Sequence, residues 1–166
     1  TSPASRLGAR LSLASGESRL YGPLVSEDTE YSSRALVQLG VSIDQDDSGC
    51  WIIQGNSGQV RSSDGTIYLG NNGTATRFLT SVAALGQSPC IIDGDERMHE
   101  RPIGPLLTAL RGWGVDIRSL RGTDCPPLQV NGQGIAGGTT SLPAGKSSQY
   151  LSSLLLVAPY AKQPAR

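Results

Sequence analysis

The feature that most restricts what this chain can fold into is that it repeats itself. Ser5-Arg6-Leu7 aligns with Thr76-Arg77-Phe78, 71 residues on, and Thr76 to Ser81 aligns with Ser148 to Ser153, 72 residues on. Ala35-Leu36 and Gly40-Val41-Ser42-Ile43 return as Ala109-Leu110 and Gly114-Val115-Asp116-Ile117, an offset of 74. Ile53-Gln54-Gly55 returns as Val130-Asn131-Gly132, an offset of 77. Three matches in the same order, with offsets drifting as loop lengths would make them, imply two units and the beginning of a third. We place them at about 1–60, 61–135 and 136–166, within a single truncated domain.

Pattern fills in each unit. Residues 4–14 read as a helix and Ser18 to Tyr21 as a short strand. Ser26 is an N-cap ahead of Glu27, Asp28 and Glu30, acidic residues that suit a helix dipole, and Gly40 stops that helix. Val41 to Ile43 and Trp51 to Gln54 read as strands joined by the Asp44 to Gly49 turn. The second unit repeats the order: a strand at Thr66 to Leu69, helices at 75–85 and 103–111, and strands at 89–92, 115–118 and 127–131. The unit is β-α-β-α-β-β in circular order, and the fold class is α/β.

Composition narrows function. The chain carries 14 basic and 14 acidic residues among 166, so it has no basic surface for nucleic acid or an anionic membrane. No run reaches the roughly 18 apolar residues of a membrane span. Cys50, Cys90 and Cys125 form no close pair and His99 is the only histidine, so no metal site and no cofactor are expected. The cysteines read as free thiols of a reducing compartment.

The 21 glycines punctuate turns, and two of them bracket the most informative segment, Leu69-Gly70-Asn71-Asn72-Gly73-Thr74-Ala75-Thr76-Arg77. A strand, a glycine turn and a helix start aim main-chain N–H groups at one point, an anion site. Thr74 and Thr76 add hydroxyls and Arg77 a fork for phosphate or carboxylate. Taken alone, the segment reads equally as a glycine turn with a threonine N-cap. The repeat places Ser5-Arg6 and Ser147-Ser148-Gln149 at equivalent helix starts, so three starts would converge on one ligand. Arg101, beside the helix begun at Pro102, suits a carboxylate; Lys146 adjoins the same anion or is solvated; His99 reads as a surface residue rather than a general base. Gly134 to Gly138 reads as a hinge or a turn.

These motifs resemble EPSP synthase, the 3-phosphoshikimate 1-carboxyvinyltransferase family. The resemblance rests on Leu69 to Leu79, Arg97-Met98-His99-Glu100-Arg101-Pro102-Ile103-Gly104, Ser147 to Leu155, Ser26 to Glu30 and Cys125-Pro126-Pro127-Leu128. Phe78-Leu79 and Ala158-Pro159-Tyr160-Ala161-Lys162 resemble the version inside the fungal pentafunctional AROM polypeptide. The resemblance implies an inside-out α/β domain of βαβαββ units with helices inside sheets. It implies transfer of the enolpyruvyl group of phosphoenolpyruvate to the 5-hydroxyl of shikimate 3-phosphate, without metal or cofactor, in a cytoplasmic enzyme. By resemblance, Ser2, Arg6, Ser147, Ser148 and Gln149 match shikimate 3-phosphate contacts, and Asn71, Gly73, Thr74 and Arg101 match phosphoenolpyruvate contacts.

Departures from the family also bear on function. Thr1 stands where the family's first-motif lysine belongs, Ser5 replaces an asparagine, and Asn72 replaces an alanine. The second domain, with the family's acid/base carboxylates, lies outside the sequence. The chain alone is therefore expected not to turn over, and to work with a second domain or as a homodimer. The alternative is a degenerate relative with a binding or regulatory role, such as a secreted fungal effector.

Overall fold

The computed structural model describes residues 3–61, 65–143, 145 and 147–166. The chain runs α1 (Pro3–Leu13), β1 (Ser15–Leu20), α2 (Glu27–Gln38), β2 (Ser42–Gln45), β3 (Trp51–Asn56), β4 (Thr66–Tyr68), α3 (Gly73–Ala83) and β5 (Pro89–Asp93). A 3-10 turn at Met98–Glu100 leads to α4 (Gly104–Gly112), β6 (Asp116–Ser119), β7 (Leu128–Asn131), α5 (Ser148–Val157) and a last 3-10 turn at Ala158–Tyr160.

The repeat is visible in the strand register. One sheet has the order β1-β3-β2, antiparallel throughout, with Ser18 beside Ile53 and Ile53 beside Ile43. The other has the order β4-β5-β7-β6, with Cys90 beside Val130 and Val130 beside Ile117. The row Ser18–Ile53–Ile43 therefore answers to the row Cys90–Val130–Ile117, at the offsets of 77 and 74 read from the sequence. β4 adds a fourth strand parallel to β5, with Ile67 beside Ile92. After β7 the pattern starts again: Gly138 lies parallel to Ala165, and Arg166 N–H donates to Gly138 O at 2.8 Å.

Local chemistry explains the element ends. Ser26 and Thr29 form a capping box at α2: Ser26 Oγ accepts from Thr29 N at 3.3 Å and Thr29 Oγ1 accepts from Ser26 N at 2.9 Å. Gly40 ends the same helix at φ +87°, where a Cβ would also press on Arg61. β1 begins three residues earlier than its sequence pattern indicated, because the polar Ser15-Gly16-Glu17 stretch is held by pairing to Gln54-Gly55-Asn56 rather than by its own periodicity. The Gly134 to Gly138 segment is a packed turn and not a hinge: Ile135 is fully buried and Ala136 N–H donates to Trp113 O.

The core lies between the sheets and is filled by helices. α3 is buried along nearly its whole length, from Thr74 through Ala83, and packs between α1 and α5. Leu13, Leu79, Val82, Leu154 and Val157 meet Ile53 and Ile92 from the sheets; burying a side chain of this size stabilises by about 1.5–3 kcal/mol. Among the buried polar side chains, Ser81 Oγ and Ser153 Oγ are hydrogen-bonded to each other at 3.1 Å. These residues are 72 apart and occupy the same place in successive units. Among the described residues, no helix is long and apolar enough to cross a membrane.

Candidate anion-binding cleft

The turn from β4 into α3 is held before any ligand enters. Leu69 N–H donates to Asp93 O at the end of β5, and Asp95 N–H donates to Gly70 O. Gly70 adopts φ +54° against the ring of Tyr31, and no Cβ fits at Gly94, where it would lie 2.2 Å from Gly70 O. The N-cap of α3 is Asn72, not Thr74. Asn72 Oδ1 accepts from Ala75 N at 2.9 Å, while Nδ2 donates to Asp28 O and Ser32 Oγ on α2. Asn72 is 3 % exposed, and its side chain pins α3 to α2. Gly73 N–H donates to Asn71 O and Thr76 N–H to Asn72 O. Thr74 N–H is left as the donor at this helix start with no protein partner among the described residues.

A cleft of about 250 Å³ opens over this turn, lined by Asp28, Asn71 to Thr74, Arg77, Arg101 and Gln149. Arg101 reaches in from the loop before α4, its Nη1 donating to Asn71 O at 3.4 Å. Gly73 keeps that approach open, since a Cβ there would lie 3.1 Å from the guanidinium. Arg77 Nη1 donates to Gln149 Oε1 at 2.5 Å, and its guanidinium lies 5.2 Å from the Tyr150 ring centroid. Tyr150 OH in turn donates to Pro102 O at 3.0 Å. Two guanidiniums against the single carboxylate of Asp28, at the positive end of a helix, make the cleft locally cationic in a neutral protein. Asn71 adds a side-chain Oδ1 that is buried with no hydrogen-bond partner among the described residues.

The expected residues sort as follows. Asn71, Gly73, Thr74, Arg77, Arg101 and Gln149 are brought together in the cleft. Ser147 caps α5, its Oγ accepting from Gln149 N at 3.3 Å, with Ser148 exposed beside it. Arg6 lies on α1; Ser2 and Lys146 lie outside the described residues. Thr76 is withdrawn from the site: its hydroxyl donates to Asn72 O and Met98 Sδ. His99 is partly buried rather than fully solvated: its Nε2 lies 2.7 Å from Asp93 Oδ1 and its side chain is 17 % exposed. The roles of Asn72 and His99 depend on contacts with α2 and β5, so their own neighbours in sequence carried no signal. A larger cavity, about 670 Å³, lies elsewhere, over α2, β2, β3 and β4, and presents Tyr31, Val37, Trp51 and Tyr68.

Residues 8–165 match the family model of EPSP synthase (3-phosphoshikimate 1-carboxyvinyltransferase). The chain belongs to the EPSP synthase family. It is 45 % identical over 153 residues to the 3-phosphoshikimate 1-carboxyvinyltransferase of Rhizobium leguminosarum bv. trifolii, covering 92 % of this chain and 36 % of that one. It is equally 45 % identical over 160 residues to the pentafunctional AROM polypeptide of Komagataella phaffii, 92 % of this chain and 10 % of that one. The fungal protein is thus no nearer than the bacterial one. The solved EPSP synthase of Acinetobacter baumannii superposes with a TM-score of 0.85 at 25 % identity, over 98 % of this chain and 39 % of that chain. The enolpyruvyl transferase NikO of Streptomyces tendae shares the fold, with a TM-score of 0.61 at 16 % identity. This chain spans a little over a third of the length of its full-length family relatives.

Proposed function

We propose that this chain forms one wall of an enolpyruvyl-transfer site, holding shikimate 3-phosphate and phosphoenolpyruvate side by side. The observation that carries the reading is the convergence of Arg77, Arg101, Gln149 and the free Thr74 N–H on one cleft. Phosphoenolpyruvate takes the side of Asn71, Gly73, Thr74 and Arg101, where a guanidinium and a helix start neutralise its carboxylate and phosphate. Shikimate 3-phosphate takes the side of Ser147, Ser148 and Gln149, with Arg6 and Ser2 from the first unit. Gln149, bonded to Arg77 between the two sides, is the residue that both ligands share. In this role the chain binds and orients; its cations are fixed before the reaction, so charge developing on the leaving phosphate is met without reorganisation.

The carboxylates that move protons in such a transfer are not supplied by this cleft, whose one carboxylate, Asp28, sits in the first turn of α2. We therefore propose that the chain binds without turning over, and that turnover needs a second domain. Absence of a positioned acid/base typically costs 10²–10⁴-fold in rate. Calorimetric titration with shikimate 3-phosphate, followed by phosphoenolpyruvate, tests the reading alongside a phosphate-release assay. Saturable binding with background phosphate release is the expected result. No heat at millimolar ligand overturns the binding half, and turnover well above background overturns the other. The relatives named above are biosynthetic transferases, which lends nothing to a secreted role.

A further inference from the structure

Arg101 stands in the cleft on few bonds of its own. Among the described residues its guanidinium makes one, the long donation to Asn71 O at 3.4 Å, and the residue is exposed. A charged group on a long stem is held only as well as the main chain beneath it. That main chain is braced on both sides. Two residues before Arg101, His99 Nε2 lies 2.7 Å from Asp93 Oδ1. Two residues after it, Ile103 N–H donates to Asp124 O at 2.8 Å. Between them Pro102 has no N–H, so its carbonyl is its one main-chain hydrogen-bonding group. Tyr150 OH donates to that carbonyl at 3.0 Å. The first two braces belong to the second unit, whereas Tyr150 comes from α5 in the third.

Packing does not account for this hydroxyl. Tyr150 is the counterpart of Phe78 at the offset of 72, and Phe78 the counterpart of Leu7 at the offset of 71. Phe78 is 3 % exposed and Tyr150 5 %, so a plain aromatic ring fills the same place in the second unit. The hydroxyl occurs in the copy that lies beside the loop of Arg101. The ring has a use of its own: the Arg77 guanidinium lies 5.2 Å from its centroid while donating to Gln149 Oε1, a cation–π contact. Tyr150 stands behind the cleft, not among the residues that line it.

We infer that Tyr150 is a positioning residue of the cleft, its hydroxyl fixing Arg101 through Pro102 O while its ring seats Arg77. The two parts of one side chain thus serve opposite walls. Removing the hydroxyl alone loosens the Arg101 wall and leaves Arg77 and Gln149 in place. The inference rests on the reading of the cleft as a site for phosphoenolpyruvate and shikimate 3-phosphate, and adds to it the residue that spaces the two cations.

Tyr150→Phe makes the test, since it keeps the ring that Phe78 shows to be sufficient for packing. Calorimetric titration with shikimate 3-phosphate is expected to match the parent, and titration with phosphoenolpyruvate to weaken roughly three- to tenfold, the worth of one hydrogen bond. In an Arg101→Ala background the same substitution is expected to cost nothing more, because its effect runs through Arg101. Unchanged phosphoenolpyruvate binding overturns the inference. So does an equal loss for both ligands, or a loss that persists without Arg101, since a general weakening of the fold would give either. A further readout needs no ligand: amide exchange at Arg101 and Ile103 is expected to quicken roughly threefold or more in Tyr150→Phe. Unchanged exchange there overturns the inference whatever the ligands do. A parent that binds neither ligand overturns the proposed function, and exchange at these two amides then decides the inference by itself.

Discussion

Among the described residues, the two ends of α3 each carry two cations and put them to different use. At the C-terminal end, a cavity of about 360 Å³ is lined by Arg61 and Lys162 with Gln59, Gln87, Leu85 and Tyr160. There Lys162 Nζ donates to Gln133 O at 3.0 Å and Tyr160 OH donates to Leu13 O at 2.6 Å. The Lys162 and Tyr160 donors are taken up by main-chain carbonyls of a loop and of the end of α1. At the N-terminal end, Arg77 donates to Gln149 Oε1 and Arg101 makes one long bond to Asn71 O, beside N–H groups of their own polarity and no paired carboxylate among the described residues, so their positive charge is left over for a ligand. Counting cations does not find a site; the sign of the helix end beneath them does.

The harshest way to break the contrast is Gly94→Ala. With Gly70 O lying 2.2 Å from the new methyl, the turn must move or the chain unfold, and a loss of about 3 kcal/mol in a denaturant titration is expected. A variant melting like the parent would mean that the turn is not held as described. Next comes a paired substitution. Arg101→Ala should weaken phosphoenolpyruvate binding by about 10–100-fold, the worth of a charge-assisted contact, while Lys162→Ala leaves it unchanged. Equal losses in the two titrations would show that overall charge, and not the helix end, attracts the anion.

Asn72→Ala restores the residue type the family resemblance led us to expect and removes a cap together with two bonds to α2. A loss of about 1–2 kcal/mol is expected by thermal melting, with Thr74 and Arg101 still able to bind. The last prediction concerns Cys90 on β5, whose thiol burial pushes up to about 11 from 9.0. Above pH 9 the unfolded chain loses this proton and the folded one keeps it, so stability falls as pH rises toward 11. Melting curves from pH 8 to 11 should therefore converge for parent and Cys90→Ala; parallel curves would show that the thiol is not protected.

Much of this was legible beforehand because the chain states its plan more than once. Ser26 and Gly40 delimit α2 as read, and the offsets of 74 and 77 reappear as strand register. The cleft was legible through equivalence: nothing near Gln149 points to Arg77, but sharing a repeat position with it does. What escaped was set by partners distant in sequence. Thr74 is a sound N-cap on local rules, yet Asn72 won the place because Asp28 and Ser32 on α2 take its amide. His99 reads as solvated in a loop of charges until Asp93, at the end of β5, draws it inward. β1 escaped in part because its polar stretch becomes a strand only beside β3.

The bond between Ser81 and Ser153 is a residue touching its own counterpart. Such self-matching contacts are usually met at the interface of identical subunits, where one substitution appears on every copy. Here the subunits are in effect fused, and the linker holds them at an effective concentration that separate chains do not reach. Fusion frees each copy to diverge by itself, so that the place of Arg77 in one unit is held by Gln149 in the next. The cleft's asymmetry, with a cation on one wall and an amide on the other, is a product of that freedom.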